Sequence, residues 1–194
     1  MPGLGHFAVG AAAGRLHTGN RDTSLAMAMA AFCVLSVLPD ADVVGFSFGI
    51  PYDAPYGHRG ASHSVAAGLA LGLLAGALGR LLGLEWRRTT VLACLVATSH
   101  GLLDTLTDGG RGIALLWPLS DERFFSPWRP LPVSPLGPAV LSEWGLRVLL
   151  VELVYFSPLW LYAFWPRQWT SVRRLPPDRT GAGRRQNLSG RAHR

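Results

Sequence analysis

The feature that most limits what this chain can fold into is a set of five stretches that are apolar on nearly every side. They run roughly from Gly3 to Leu16, Thr23 to Leu38, Ser62 to Gly83, Thr89 to Leu106 and Leu141 to Trp165. A helix on a soluble protein carries one apolar stripe, whereas a helix apolar all round is enclosed by lipid or by other helices. The composition agrees: 49% of the residues are hydrophobic and 15% are charged, against about 25% charged in an ordinary soluble domain. The expected fold is all-α, a membrane-embedded bundle of four to five helices. About 20 residues are needed to cross a hydrocarbon core. The third and fifth stretches meet that length; the first, second and fourth are expected to be partly submerged or held within the bundle.

The links between these stretches alternate in kind. His17–Asp22 and Leu84–Arg88 are short, which predicts two antiparallel hairpins, first helix with second and third with fourth. Pro39–Ala61 and Thr107–Val140 are long. The latter holds Pro118, Pro127, Pro130, Pro132, Pro135 and Pro138, which excludes a continuous helix, and long structured loops are usually functional. Gly68, Gly72 and Gly76 recur every four residues, as do Gly10 and Gly14. That spacing lets helix backbones approach closely, within the chain rather than across a dimer seam. Cys33 and Cys94 lie in apolar runs without CxxC spacing and read as small buried hydrophobes. The N-terminus lacks the basic region of a signal peptide, so residues 1–20 are taken as structure.

Charge is unevenly placed. All 18 basic residues are arginine, and eight of them (167, 173, 174, 179, 184, 185, 191 and 194) fall in the last 29 residues. A segment of that composition cannot bury enough to fold. Residues 166–194 are therefore expected to be a disordered cytoplasmic tail on a helical domain of residues 1–165. Membrane lipids are the expected partners, with anionic lipid against the tail; nucleic acid is not expected, and homo-oligomerisation is left open. Thirteen arginines lie in the tail or at the hairpin turns (15, 21, 80, 87, 88), and five (59, 111, 123, 129, 147) at the other end. The positive-inside rule then predicts a multi-pass protein of a bacterial-type inner membrane. Its turns and C-terminus face the cytoplasm, and its other end faces outward.

That outward end collects polar groups. In an up-down-up-down bundle, the starts of odd helices and the ends of even ones share one face. His6 opens the first helix, and Asp40 and Asp42 follow the second. His58 and Arg59 precede the third and His63 lies at its start, and His100 and Asp104 lie near the end of the fourth. The last two are four apart, hence neighbours on one helix face. Ionisable groups beside lipid are costly and usually functional. Each has a plain alternative, Asp40 as a turn residue, Ser62 as a helix cap, and the HxxxD pair as a simple hydrogen bond. Imidazole nitrogen with carboxylate oxygen suits zinc, and also manganese or iron. His17 reads as a polar helix terminus and His193 as part of the tail. Asp53, Asp108, Asp121 and Glu122 read as solvated loop charges.

Five blocks, GHFAVG at 5–10, LPDAD at 38–42, GHRGASHS at 57–64, SHGLLDTLTDGG at 99–110 and LLWPLSDERF at 115–124, resemble in order the YdjM-like family of predicted membrane-bound, metal-dependent hydrolases. The resemblance covers about residues 1–125. It implies a helical fold akin to zinc-dependent phospholipase C and P1-type nucleases, with one or more divalent ions. By position, His6, Asp40, His63, His100 and Asp104 would be metal ligands. Asp42 and His58 would be catalytic groups, further ligands or groups that orient a ligating imidazole, and Arg59 would hold an anionic substrate oxygen. The implied activity is hydrolysis of a phosphoester or lipid-type ester by a metal-activated water. The alternative is a non-catalytic membrane protein with a structural metal or polar cluster and a basic tail that binds a partner.

Overall fold

A computed structural model describes residues 3–19, 24–135 and 137–166. The expectations placed on Arg21, Asp22, Thr23 and the Arg-rich tail from residue 167 onward lie outside the described residues. Within them the chain is all-α. Six α-helices follow in order: α1 (Gly3–Thr18), α2 (Leu25–Val37), α3 (Val65–Leu81), α4 (Trp86–Asp104), α5 (Glu143–Tyr155) and α6 (Ser157–Phe164). Three 3₁₀ segments, Leu38–Phe48, Ala61–His63 and Gly137–Leu141, lie between them.

Both hairpins form, and glycine builds both. A Cβ on Gly68, Gly72 or Gly76 would come within 3.0 Å of Thr98, Cys94 or Thr90 respectively. Each step of four forward on α3 is thus answered by a step of four back on α4, an antiparallel pair at close range. Gly10 and Gly14 meet Cys33 and Met29 of α2 in the same way. The four-residue glycine repeats therefore serve packing inside the chain. Residue for residue, α3 reverses the pattern of a soluble helix. It buries Gly68, Gly72, Gly76 and Gly79 and exposes Leu69, Leu73, Leu74, Leu78 and Leu81. Small residues inside and leucine outside is the arrangement expected where lipid is the solvent.

The lengths differ from expectation in three places. The third helix has 17 residues because Ser64, not Ser62, is its cap, accepting from Ala67 N at 3.0 Å. Gly83, at φ 75°, turns the chain soon after its end. The second stretch is longer than expected, since the 3₁₀ segment continues α2 without a sharp bend. Leu25–Phe48 is consequently the one single helix, among the described residues, long and apolar enough to cross a membrane. The fifth helix is broken, with α5 and α6 meeting at 67°. Pro158 has no N–H to donate and its ring crowds the carbonyl four residues back; Ser157 Oγ donates to that Val154 carbonyl at 2.8 Å instead. A bundle in which four or five helices each span is not what these lengths support.

Candidate metal centre

The two hairpins and the loops between them bring the predicted side chains to one end. Pro39 opens the 3₁₀ segment that carries Asp40 and Asp42. Loop 49–60 returns the chain to Ala61–His63, and it is drawn tight: Arg59 takes φ 63°, the sole non-glycine residue with positive φ among those described. Its backbone is pinned on both sides, by Arg59 N donating to Asp42 Oδ2 at 3.2 Å and by Ala114 N donating to Arg59 O at 3.1 Å. His100 and Asp104 come from the last turn of α4, and His6 from the first turns of α1.

The hydrogen bonds fix which ring nitrogen is bare. His100 Nδ1 lies 2.7 Å from the Ser36 carbonyl, which can only accept, so Nδ1 holds the proton and Nε2 presents a lone pair. His63 Nδ1 faces Asp42 Oδ2 at 3.2 Å and Ser62 Oγ at 3.0 Å. The Ser62 hydroxyl is itself committed as donor to Asp42 Oδ2 at 2.5 Å. In the neutral ring, Nε2 of His63 is therefore bare as well. The two Nε2 atoms face each other at 3.1 Å. Asp40 Oδ1 stands 3.2 Å from one and 3.3 Å from the other, and Asp104 Oδ2 lies 3.6 Å from His63 Nε2.

With His63 neutral, four acceptors thus converge. Four ligands about 2.1 Å from a central ion in a tetrahedron stand about 3.4 Å apart; four of the six separations here are 3.1–3.6 Å, and all lie within 4.8 Å. Charge leads to the same place. Asp40, Asp42 and Asp104 against Arg59 leave two negative charges in a site where Asp104 and His100 are fully buried, and buried charge is tolerated only when balanced. One divalent cation balances it. The Asp40, His63, His100 and Asp104 cluster could hold a metal ion. Asp42, His58 and His63 are also close together, but there each contact pairs a donor with an acceptor. Without a cation the ring of His63 carries the compensation. Burial disfavours its charged form, yet the Asp40 and Asp42 hydrogen bonds outweigh this and push His63 up to about 9.

The remaining predicted residues stand around these four. His6 does not reach the cluster; its Nε2 meets the other oxygen of Asp104, Oδ1, at 3.2 Å, and its ring stacks on His100 at 3.9 Å. It holds Asp104 with Oδ2 turned inward. Asp42 also lies outside the four, bridging His58 Nδ1 at 2.7 Å to His63. Arg59 departs from expectation: it is buried and points inward. Its Nε lies 3.3 Å from Asp104 Oδ2, and it donates to Gly109 O at 2.9 Å and Thr107 Oγ1 at 3.3 Å. It acts as a counter-charge instead of reaching out to a substrate. His17 departs as well, being buried and bonded through Nε2 to Thr89 Oγ1 at 2.9 Å. Asp53 is paired with Arg111 on the surface, and Asp108 accepts from Val133 N at 2.7 Å.

Other residues take part that the sequence does not single out for the site. Ser62, read above as a helix cap, and Thr107 sit inside the very blocks that carry the ligands. Ser36 acts through its carbonyl, and no residue type announces that. Arg123 donates to the carbonyls of Tyr52 at 3.1 Å and His58 at 3.2 Å, holding loop 49–60 over the site.

Helices that bury glycine and expose leucine, closed at one end by a buried His/Asp cluster, define a helical membrane protein with a candidate metal centre. The chain belongs to the YdjM inner membrane protein family, which it matches over residues 1–172. It is also 39% identical over 134 residues to "Inner membrane protein YbcI" of Escherichia coli (strain K12), an alignment covering 66% of this chain and 73% of that relative. Both support a membrane location. No solved structure matches the chain.

Proposed function

We propose that this protein is a membrane-bound, metal-dependent hydrolase of phosphoester or lipid-type ester bonds, with zinc as the first choice of ion and manganese or iron as alternatives. The observation that carries the reading is the convergence of ligand atoms from Asp40, His63, His100 and Asp104, all within 4.8 Å of one another. Each imidazole is fixed by an acceptor on its far nitrogen, the arrangement that orients metal-binding histidines generally. A divalent ion there would supply an activated water at neutral pH. Asp40, whose side chain is 11% exposed where the other three are sealed, marks the approach for a substrate oxygen. Asp42 and His58 keep the Nδ1 proton of His63 in position.

The membrane setting narrows the substrate. Asp40 and Asp42 lie in the second half of Leu25–Phe48, the stretch able to span, so the site would lie near one face of the bilayer, within reach of a lipid head group. Arginine placement favours the outer face for the site and the cytoplasm for the C-terminus, in a multi-pass topology. One observation favours a second reading. The cluster is closed by four protein ligands and nearly sealed, as in structural rather than catalytic zinc sites; the protein would then be non-catalytic, with the ion holding the two hairpins together.

Metal analysis of detergent-purified protein tests the core of the proposal. Bound zinc near one equivalent is expected, lost in His63→Ala and His100→Ala, together with hydrolysis of a chromogenic phosphoester by the native protein alone. Stoichiometric metal without hydrolysis of any ester would decide for the structural reading. A native protein that takes up no metal on titration would end both.

A further inference from the structure

Glu152 is a carboxylate set in the apolar helix α5 and fully buried, a costly placement that calls for a purpose. Its Oε2 accepts from Leu4 N at 2.6 Å and Gly5 N at 3.3 Å. These are amides of the first turn of α1, which have no partner inside their own helix. No acidic residue of α1 itself lies in that turn, so the negative charge favoured at a helix N-terminus arrives from a residue 148 positions away. The next residue after the held amides is His6. Phe156, one turn after Glu152, packs its ring where a Cβ on Gly5 would stand. At the far end of α1, Arg15 donates to Ala163 O of α6 at 3.0 Å.

We propose that Glu152 is a positioning residue for the metal centre: from α5 it fixes the first turn of α1, so that His6 stays bonded to the outer oxygen of Asp104 and Asp104 keeps its inner oxygen on the cluster. This rests on the metal-centre reading above. The bend at Pro158 belongs to the same device, since it lets α5 reach the start of α1 while α6 runs beside the rest of it.

The test uses the full-length protein in detergent, with zinc affinity measured against a chelator and the visible spectrum of the cobalt-substituted form. Glu152→Leu is expected to weaken zinc binding by about 10- to 100-fold, the usual effect of removing a group that orients a ligand, and to change the cobalt band pattern. Glu152→Gln, whose amide oxygen still accepts from Leu4 and Gly5, should recover most of the affinity. Arg15→Gln, at the other end of α1, should lower the melting temperature and leave the cobalt spectrum as it was. If Glu152→Leu does not fold, Glu152→Asp withdraws the carboxylate by one methylene and should weaken zinc several-fold. Native affinity and spectrum in the Leu or Asp variant, or an equal loss in Arg15→Gln, overturns the proposal. Absence of metal in the native protein would overturn the metal-centre reading itself, and this proposal with it.

Discussion

Helix α1 carries two buried histidines, one near each end, and both bond to α4. His17 gives its Nε2 proton to Thr89 Oγ1, a hydroxyl already committed as donor to the Glu85 carbonyl at 2.8 Å. Donor meets acceptor in this contact. Eleven residues earlier on the same helix, His6 meets a carboxylate that also faces Arg59 and His63. Behind it stand His100 and Asp40. Burial of imidazole is common to the two ends; at the His6 end carboxylates and further imidazoles crowd together. A buried histidine is therefore no sign of a metal site in itself. The sign is several carboxylates and imidazoles whose ligand atoms converge on one place.

Asp104→Asn is the largest expected breach of that comparison. It removes one of the two carboxylates among the four converging ligands, the anionic partner of His6 and the counter-charge of Arg59 in a single step. Loss of one member of a buried charged network costs about 3–5 kcal/mol, and metal affinity should fall beyond detection. His17→Ala, at the other end, should keep its full metal content and lose only about 1–3 kcal/mol for the unmade buried hydrogen bond. Metal analysis beside thermal melts separates the two. Should His17→Ala also come out metal-free, the ends of α1 are not independent and the contrast fails.

Acidity gives the next largest effect. In the metal-free protein His63 is pushed up to about 9 by Asp40 and Asp42 against the opposing effect of burial. Because its folded pKa lies above the ordinary value of about 6.5, the folded state binds this proton more tightly than the unfolded one. Its stabilisation, of the order of 3 kcal/mol, is fully present below about pH 6.5 and disappears as the pH rises through 9. A metal ion must displace the same proton. Zinc affinity should therefore climb by about tenfold per pH unit up to pH 9 and then level off, a slope that His17→Ala leaves in place. A flat profile for the native protein would show that His63 is already neutral without metal.

The sequence carried the helical class, the hairpin pairing and the end at which the polar groups meet, because these follow from periodicity, loop length and glycine spacing. It did not carry which of five expected ligands touch. His6 and Asp40 look alike in their motifs, and only the approach of α1 to α4 puts the former one atom layer back. The inward turn of Arg59 depends on a backbone angle that nothing local requires. Pro158 is a different case: a proline inside the stretch Leu141 to Trp165 is a visible signal for the break between α5 and α6. Glu152 fell inside that same stretch, where a single carboxylate among apolar residues was the visible anomaly.

The smallest expected effect compares two hydroxyls, one beside a histidine at each end. Ser62 donates to Asp42 and accepts the proton side of His63; Thr89 accepts from His17 and donates to Glu85 O. Ser62→Ala deletes an orienting group but leaves Asp42 to hold His63, so zinc affinity should drop several-fold, about 1 kcal/mol, with the melting temperature nearly unchanged. Thr89→Val keeps the side-chain shape and removes the acceptor of His17. It should cost about 1 kcal/mol of stability and nothing in zinc affinity. The energies are matched by design, so only the observable in which each loss appears can tell the ends apart. If Ser62→Ala loses stability and keeps its zinc, the hydroxyl at the His63 end is an ordinary buried hydrogen bond like the one at Thr89, and orientation of His63 rests on Asp42 alone.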